Sequence, residues 1–118
     1  ESGEGVGLLV IVGHCDVMRI EVMRQDLFEQ LRRRSLDRLI VDVSGAEFDE
    51  SGLHALVQSL QALRLMISEV ILSGIGPQLA AEMTTDRERV HALSKTVRFA
   101  HSLREALIGR TTAKRTSI

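Results

Sequence analysis

Four short apolar runs of strand length, residues 8–12, 39–43, 70–72 and 97–99, are separated by segments whose apolar residues recur at helical spacing. Leucine, isoleucine and valine fill the first three, Asp42 apart, the pattern of strands covered on both faces, and Val97-Arg98-Phe99 reads as a short fourth. Between them, Ile20, Met23, Leu27 and Leu31 form one helical stripe, and Leu53, Leu56, Val57, Leu60, Leu63 and Ile67 form a second. Leu79, Ala80 and Met83 begin a third behind Pro77, and Leu103, Ala106 and Leu107 give a last one. Strand and helix that alternate four times over short connections imply an α/β fold, a mostly parallel sheet with helices packed against it. Functional groups in such sheets collect at the carboxyl ends of the strands. Here those ends carry His14 and Cys15, then Asp49, Glu50 and Ser51, then Ser73.

The punctuation sets the expected boundaries. Residues 1–7 contain three glycines and read as a flexible lead-in, residues 8–110 as one domain, and residues 111–118 as a polar tail. Gly13 is expected to end the first strand, and Ser44-Gly45 to turn the second. Asp16 suits an N-cap, and Arg32, Arg33 and Arg34 suit the negative end of the helix it starts. Thr85 with Glu88, and Ser102 with Glu105, match capping boxes, which predicts a short extra helix near residue 88 and a last one after Ser102.

With 118 residues, 44% of them hydrophobic, the chain suffices for one ordinary core. A formal net charge of -1 argues against a nucleic-acid binder, whose affinity needs a basic surplus. The charge is unevenly divided: residues 1–50 hold eleven acids and six bases, residues 51–118 five acids and nine bases. Glu47, Asp49 and Glu50 crowd one loop and suit a partner with a basic face. A single cysteine, Cys15, rules out an intramolecular disulfide and a multi-thiolate zinc site. No apolar run approaches the ~20 residues that span a bilayer, so a cytoplasmic protein without membrane contact is expected. The chain begins at Glu1, as a module cut from a longer polypeptide or a trimmed chain would.

The junction that runs from Val41 through Phe48 into Leu53 carries the most information. Asp49 suits an N-cap, with Glu50, Ser51 and Gly52 filling the first turn behind it. Negative charge is favoured at that end of a helix, so a carboxylate or phosphorylated hydroxyl there acts as a surface charge switch. Other constellations are weaker. His14, Cys15 and Asp16 are adjacent and cannot readily face one another as a hydrolase triad would. His54, His91 and His101 lack metal-ligand spacing, so no metal or cofactor is expected. Ser73-Gly74-Ile75-Gly76 lacks the lysine of a phosphate loop and is followed by Pro77, which reads as a turn and cap. A small α/β enzyme using Cys15, or a phosphorelay receiver using Asp42, is the rival reading from another class.

Phe48-Asp49-Glu50-Ser51-Gly52-Leu53, following the strand at residues 39–43, resembles the signature of STAS domains, the modules of sulfate transporters and anti-sigma factor antagonists. Residues 62–66 and 70–77 are similar, more narrowly, to scaffold and antagonist proteins of the bacterial stressosome. The resemblance covers residues 8–108. It implies the STAS fold, a four- to five-stranded mostly parallel sheet flanked by about four helices. It also implies a non-enzymatic role in partner switching, with a serine/threonine switch kinase or anti-sigma factor and other STAS proteins as partners, in a homodimer or larger assembly. In antagonists of this family the residue directly after the signature aspartate is the phosphorylated serine or threonine; here that position is Glu50. The resemblance therefore casts Glu50 as a mimic of the phosphorylated acceptor, with Ser51 as an alternative acceptor. Ser44, Asp49, Glu50, Ser51, Gly52 and Ser73 form the expected partner-binding rim.

Overall fold

The computed structural model describes residues 5–83, 87–100, 102, 104, 106 and 107. The elements follow as β1 (Gly5–Cys15), α1 (Val17–Arg33), β2 (Leu36–Phe48), α2 (Glu50–Leu63), β3 (Glu69–Ser73), α3 (Pro77–Met83), α4 (Arg87–Ser94) and β4 (Val97–Ala100). The strands form one sheet in the order β1-β2-β3-β4, every neighbouring pair parallel. This is the α/β architecture that the alternation of apolar runs and helical stripes implies.

Because the strand order follows the chain order, right-handed crossovers place the connecting helices on one face of the sheet. Ile20, Leu56, Leu60, Leu79, Met83 and Leu93 accordingly share a core with Ile11, Leu39, Val41, Val70, Leu72 and Val97. Leu60 is 1% exposed, and burial on that scale contributes about 1.5–3 kcal/mol per side chain. The opposite face has a different cover. Ile40 and Ile71 pack with Ala106, and the buried Arg38 donates from Nη2 to the Ala106 carbonyl at 3.0 Å and from Nε to Glu69 at 2.9 Å. β1 lies at the sheet edge beside that cover, with Val6, Leu8, Val10 and Val12 on its outer face 46%, 53%, 51% and 54% exposed. The expectation of two covered faces is thus corrected for β1, whose sequence lacks alternation although, among the described residues, only one face is packed.

Two turns expected from glycine are also corrected. Gly13 has φ 85° yet pairs with Ala46, and β1 runs on to Cys15. Ser44 and Gly45 stay inside β2: the ladder passes from Val10↔Asp42 to Val12↔Gly45, so β2 carries one extra residue as a bulge. A glycine inside a strand marks such a bulge as well as it marks a turn. The outcome is a β2 of 13 residues that continues to Phe48 and delivers Asp49 directly to α2.

Other boundaries shift less. Residues 5–7 belong to β1, not to a lead-in, and residues 1–4 lie outside the described residues, as do Thr85, His101, Leu103, Glu105 and the tail at 111–118. α2 ends at Leu63, and Ile67 reaches the core from the turn behind it, its N–H bonded to the Leu63 carbonyl at 2.9 Å. The Ala106 N–H donates to the Ser102 carbonyl at 3.0 Å, and Ala106 is buried, but Leu107 is exposed and adds nothing to the expected apolar side. No helix among the described residues is long and apolar enough to cross a membrane.

Candidate functional site

The site is built where β1 and β2 end and α2 begins. Asp49 has extended backbone, and its Oδ1 accepts from the Gly52 N–H at 2.7 Å, which satisfies one of the free donors of the first turn. Glu50 is the first helical residue and Ser51 the second, and both are exposed. Gly52, third in the helix, is buried for a steric reason: a Cβ there would collide with the Cys15 carbonyl oxygen. That contact brings the end of β1 against the first turn of α2. His14 Nε2 lies 4.0 Å from Asp49 Oδ2, both side chains open to solvent.

Asp16 caps α1 as Asp49 caps α2, its Oδ1 accepting from the Arg19 N–H at 2.9 Å. Arg19 Nη1 then reaches back to the His14 carbonyl at 2.9 Å. Two capped helix starts thus stand side by side on the carboxyl rim of the sheet. Asp16, Glu47, Asp49 and Glu50 are all exposed there, and a negative potential follows from them.

Behind this rim lies a polar knot. Asp42 is 6% exposed, and its two carboxylate oxygens accept from the Ser73 hydroxyl and the Ser44 hydroxyl, each at 2.7 Å. Gly74, with φ 82°, sits against Ser44 so closely that a Cβ would come within 2.7 Å of the Ser44 Cβ. Ser44 is exposed on the rim, whereas Ser73 is 0% exposed. The placement of Ser73 on the rim is therefore corrected: its hydroxyl points inward because β3 pairs with β2 in a register that sets Ser73 beside Asp42. Nothing in the spacing of Asp42 and Ser73 announced this pairing, which depends on strand register.

Cys15 and Asp42, the residues of the rival chemistry, are both buried. Cys15 is 0% exposed, and its Sγ faces the Gly13 carbonyl at 3.4 Å and Arg19 Nη1 at 3.6 Å. Burial pushes its thiol up; the Arg19 charge opposes this and Asp16 and Asp49 add to it, so the reactive thiolate is disfavoured. Asp42 is 6% exposed, and each of its carboxylate oxygens accepts a serine hydroxyl. Among the described residues, no group of three or more histidine, cysteine, aspartate or glutamate side chains is placed to hold a metal. Among the described strands the order follows the chain without reversal, so they form no switch point of the kind that holds ligands in open α/β sheets.

Comparison with known proteins agrees with this architecture. The chain is 34% identical over 76 residues to the RsbT co-antagonist protein RsbRC of Bacillus subtilis (strain 168), an alignment that covers 64% of this chain and 27% of that protein. It is 30% identical over 78 residues to the RsbT co-antagonist protein RsbRD of the same organism, covering 65% and 28%. A blue-light photoreceptor of Listeria monocytogenes is 29% identical over 92 residues, covering 77% and 36%. The matched regions thus span between 27% and 36% of these relatives' length. Residues 1–106 match the family described as STAS domain. On that match, and on a four-stranded parallel sheet with its signature at the start of α2, the chain belongs to the STAS domain family.

Proposed function

We propose that this domain is a non-enzymatic, cytoplasmic partner-switching module of the stressosome type. Its exposed α2 rim, Asp49, Glu50 and Ser51 with Ser44 beside them, binds a serine/threonine switch kinase or anti-sigma factor, and other STAS proteins assemble around it. The observation that carries this reading is Glu50, a carboxylate exposed at the first position of a capped helix, where the family's antagonists hold their phosphorylated alcohol. A carboxylate carries one charge, against about -1.5 to -2 for a phosphate, so Glu50 imitates the modified state in part. The fit of sequence to relatives described as RsbT co-antagonists supports a co-antagonist role, and the acidic rim suits a partner with a basic face.

Ser51 supports a second reading, because it too is exposed on the first turn of α2. One residue along a helix rotates a side chain by about 100°, which turns Ser51 away from the direction Glu50 takes. Incubation with the cognate kinase and ATP separates the two. The mimic reading expects no phosphate on this chain and stoichiometric phosphate on position 50 of the Glu50→Ser variant; phosphate on Ser51 of the unaltered chain, located by mass spectrometry, overturns it in favour of the second.

A further inference from the structure

β2 outruns its neighbour on one side only. Its ladder with β3 stops at Asp42↔Ser73, while its ladder with β1 continues to Cys15↔Phe48. The chain leaves β3 at Gly74, whose positive φ turns it away and whose N–H donates to the Ala100 carbonyl at 3.2 Å. Among the described residues, β2 residues 43–48 therefore have no strand partner on the β3 side. Alternate residues of a strand direct their N–H and C=O groups to each side, so this edge offers unpaired donors and acceptors.

The edge faces a groove. Two depressions of about 240 and 340 Å³ meet there and share Ala46, Glu47, Gln78 and Leu79, with α3 forming the opposite wall. Gly74 against Ser44 closes one end; the other opens toward Phe48 and the α2 rim. From residue 45 to 48 the edge extends about 10 Å, enough for a short added strand. Glu47 is exposed along it, His14 lines the end near Phe48, and the chain passes from Phe48 directly to the exposed Asp49 and Glu50. Such a lining favours lysine or arginine in the occupant and repels acids.

We propose that the free edge of β2 at residues 45–48 receives an extended, positively charged segment of a partner protein, which joins the sheet as an added strand. Main-chain hydrogen bonds supply the affinity and Glu47 the charge selection. The idea deepens the partner-binding reading above and rests on it for the nature of the occupant, but it concerns a different edge of the rim.

The test uses the full chain, isotope-labelled, and an acetylated and amidated octapeptide of alternating threonine and lysine. The expected result is amide shifts and slowed hydrogen exchange at residues 45–48, with binding weakened about tenfold by Glu47→Lys or by N-methylation of alternate peptide residues. Absence of change at residues 45–48 overturns the proposal, as does equal binding of the N-methylated peptide or a response confined to Asp49, Glu50 and Ser51. Binding seen only after removal of residues 108–118 overturns it too, because the groove then belongs to the chain's own basic tail. A failure here is distinguishable from failure of the α2 rim, which is read separately by Glu50→Lys in complex formation with the kinase.

Discussion

The Cys15 carbonyl oxygen occupies the space that any side chain at Gly52 would need. This contact joins the end of β1 to the first turn of α2, so the glycine of the signature is a packing requirement imposed by a neighbouring strand. Gly52→Ala must push the two elements apart. Overpacking of this kind costs about 1–3 kcal/mol, visible as a lower urea midpoint at unchanged slope. A variant as stable as the parent would show that the two elements separate without penalty.

Asp49 adds the second support of the same turn. Asp49→Ala removes the acceptor for the Gly52 N–H and should cost about 1 kcal/mol, whereas Asp49→Asn retains a capping oxygen and should lose much less. If capping is the whole role, Asn preserves complex formation with the kinase. If the rim needs the charge itself, Asn folds normally and still binds poorly. Urea titration beside a binding isotherm distinguishes these cases.

What the sequence makes legible follows from how local each signal is. The caps at Asp16 and Asp49, the start of α3 at Pro77 and the stripes of α1 and α2 rest on neighbours within four residues, and the structure places them as expected except for Ile67, which packs from the turn behind α2. The STAS resemblance at residues 48–53 likewise located the family and the exposed Glu50. Register is not local. The meeting of Ser73 with Asp42 depends on how β2 and β3 align, and the bulge at Ser44-Gly45 on how β1 and β2 do. A glycine read alone suggested a turn, because a bulge and a turn use the same backbone freedom. The exposed face of β1 was hidden for a further reason: four strands in chain order put their helices on one side, and unbroken apolar sequence does not tell which side stays bare.

Glu69 links stability to pH. Burial alone would raise its carboxyl, but the hydrogen bond from Arg98 at 2.7 Å and the charges of Arg38 and Arg98 outweigh this and hold it below the usual glutamate value. A group with a depressed folded pKa stabilises the protein above its unfolded pKa, near 4.5, and loses that contribution as pH falls through the folded value. Urea midpoints should therefore decline on acidification below about pH 5, and Glu69→Gln should flatten this decline. At neutral pH the variant should already be less stable, because the Arg38 side chain, 4% exposed, loses an ionised partner. An identical acid limb in both proteins would place the linkage elsewhere.

The two hydroxyls on Asp42 make unequal contributions although their hydrogen bonds have the same length, 2.7 Å. Ser73 is 0% exposed, so Ser73→Ala leaves one oxygen of a buried carboxylate without its donor and without water to replace it. An unsatisfied charged group of this kind costs about 1–3 kcal/mol or more. Ser44 is exposed, and in Ser44→Ala water can approach the other oxygen, so the loss should stay below about 1 kcal/mol. Replacing Asp42 by Asn tests the same knot from its centre. An amide accepts through its oxygen and must donate its N–H to the second hydroxyl, so Asp42→Asn exchanges two charge-assisted bonds for neutral ones, the Ser73 bond among them, and should destabilise by an amount comparable to Ser73→Ala. The double variant Asp42→Asn with Ser73→Ala should then fall well short of the sum, because both changes disrupt the same bond. Strict additivity in urea unfolding would mean that Ser73 stabilises the sheet by some contact other than Asp42, and the buried knot would lose its role as the tie between β2 and β3 beneath the rim.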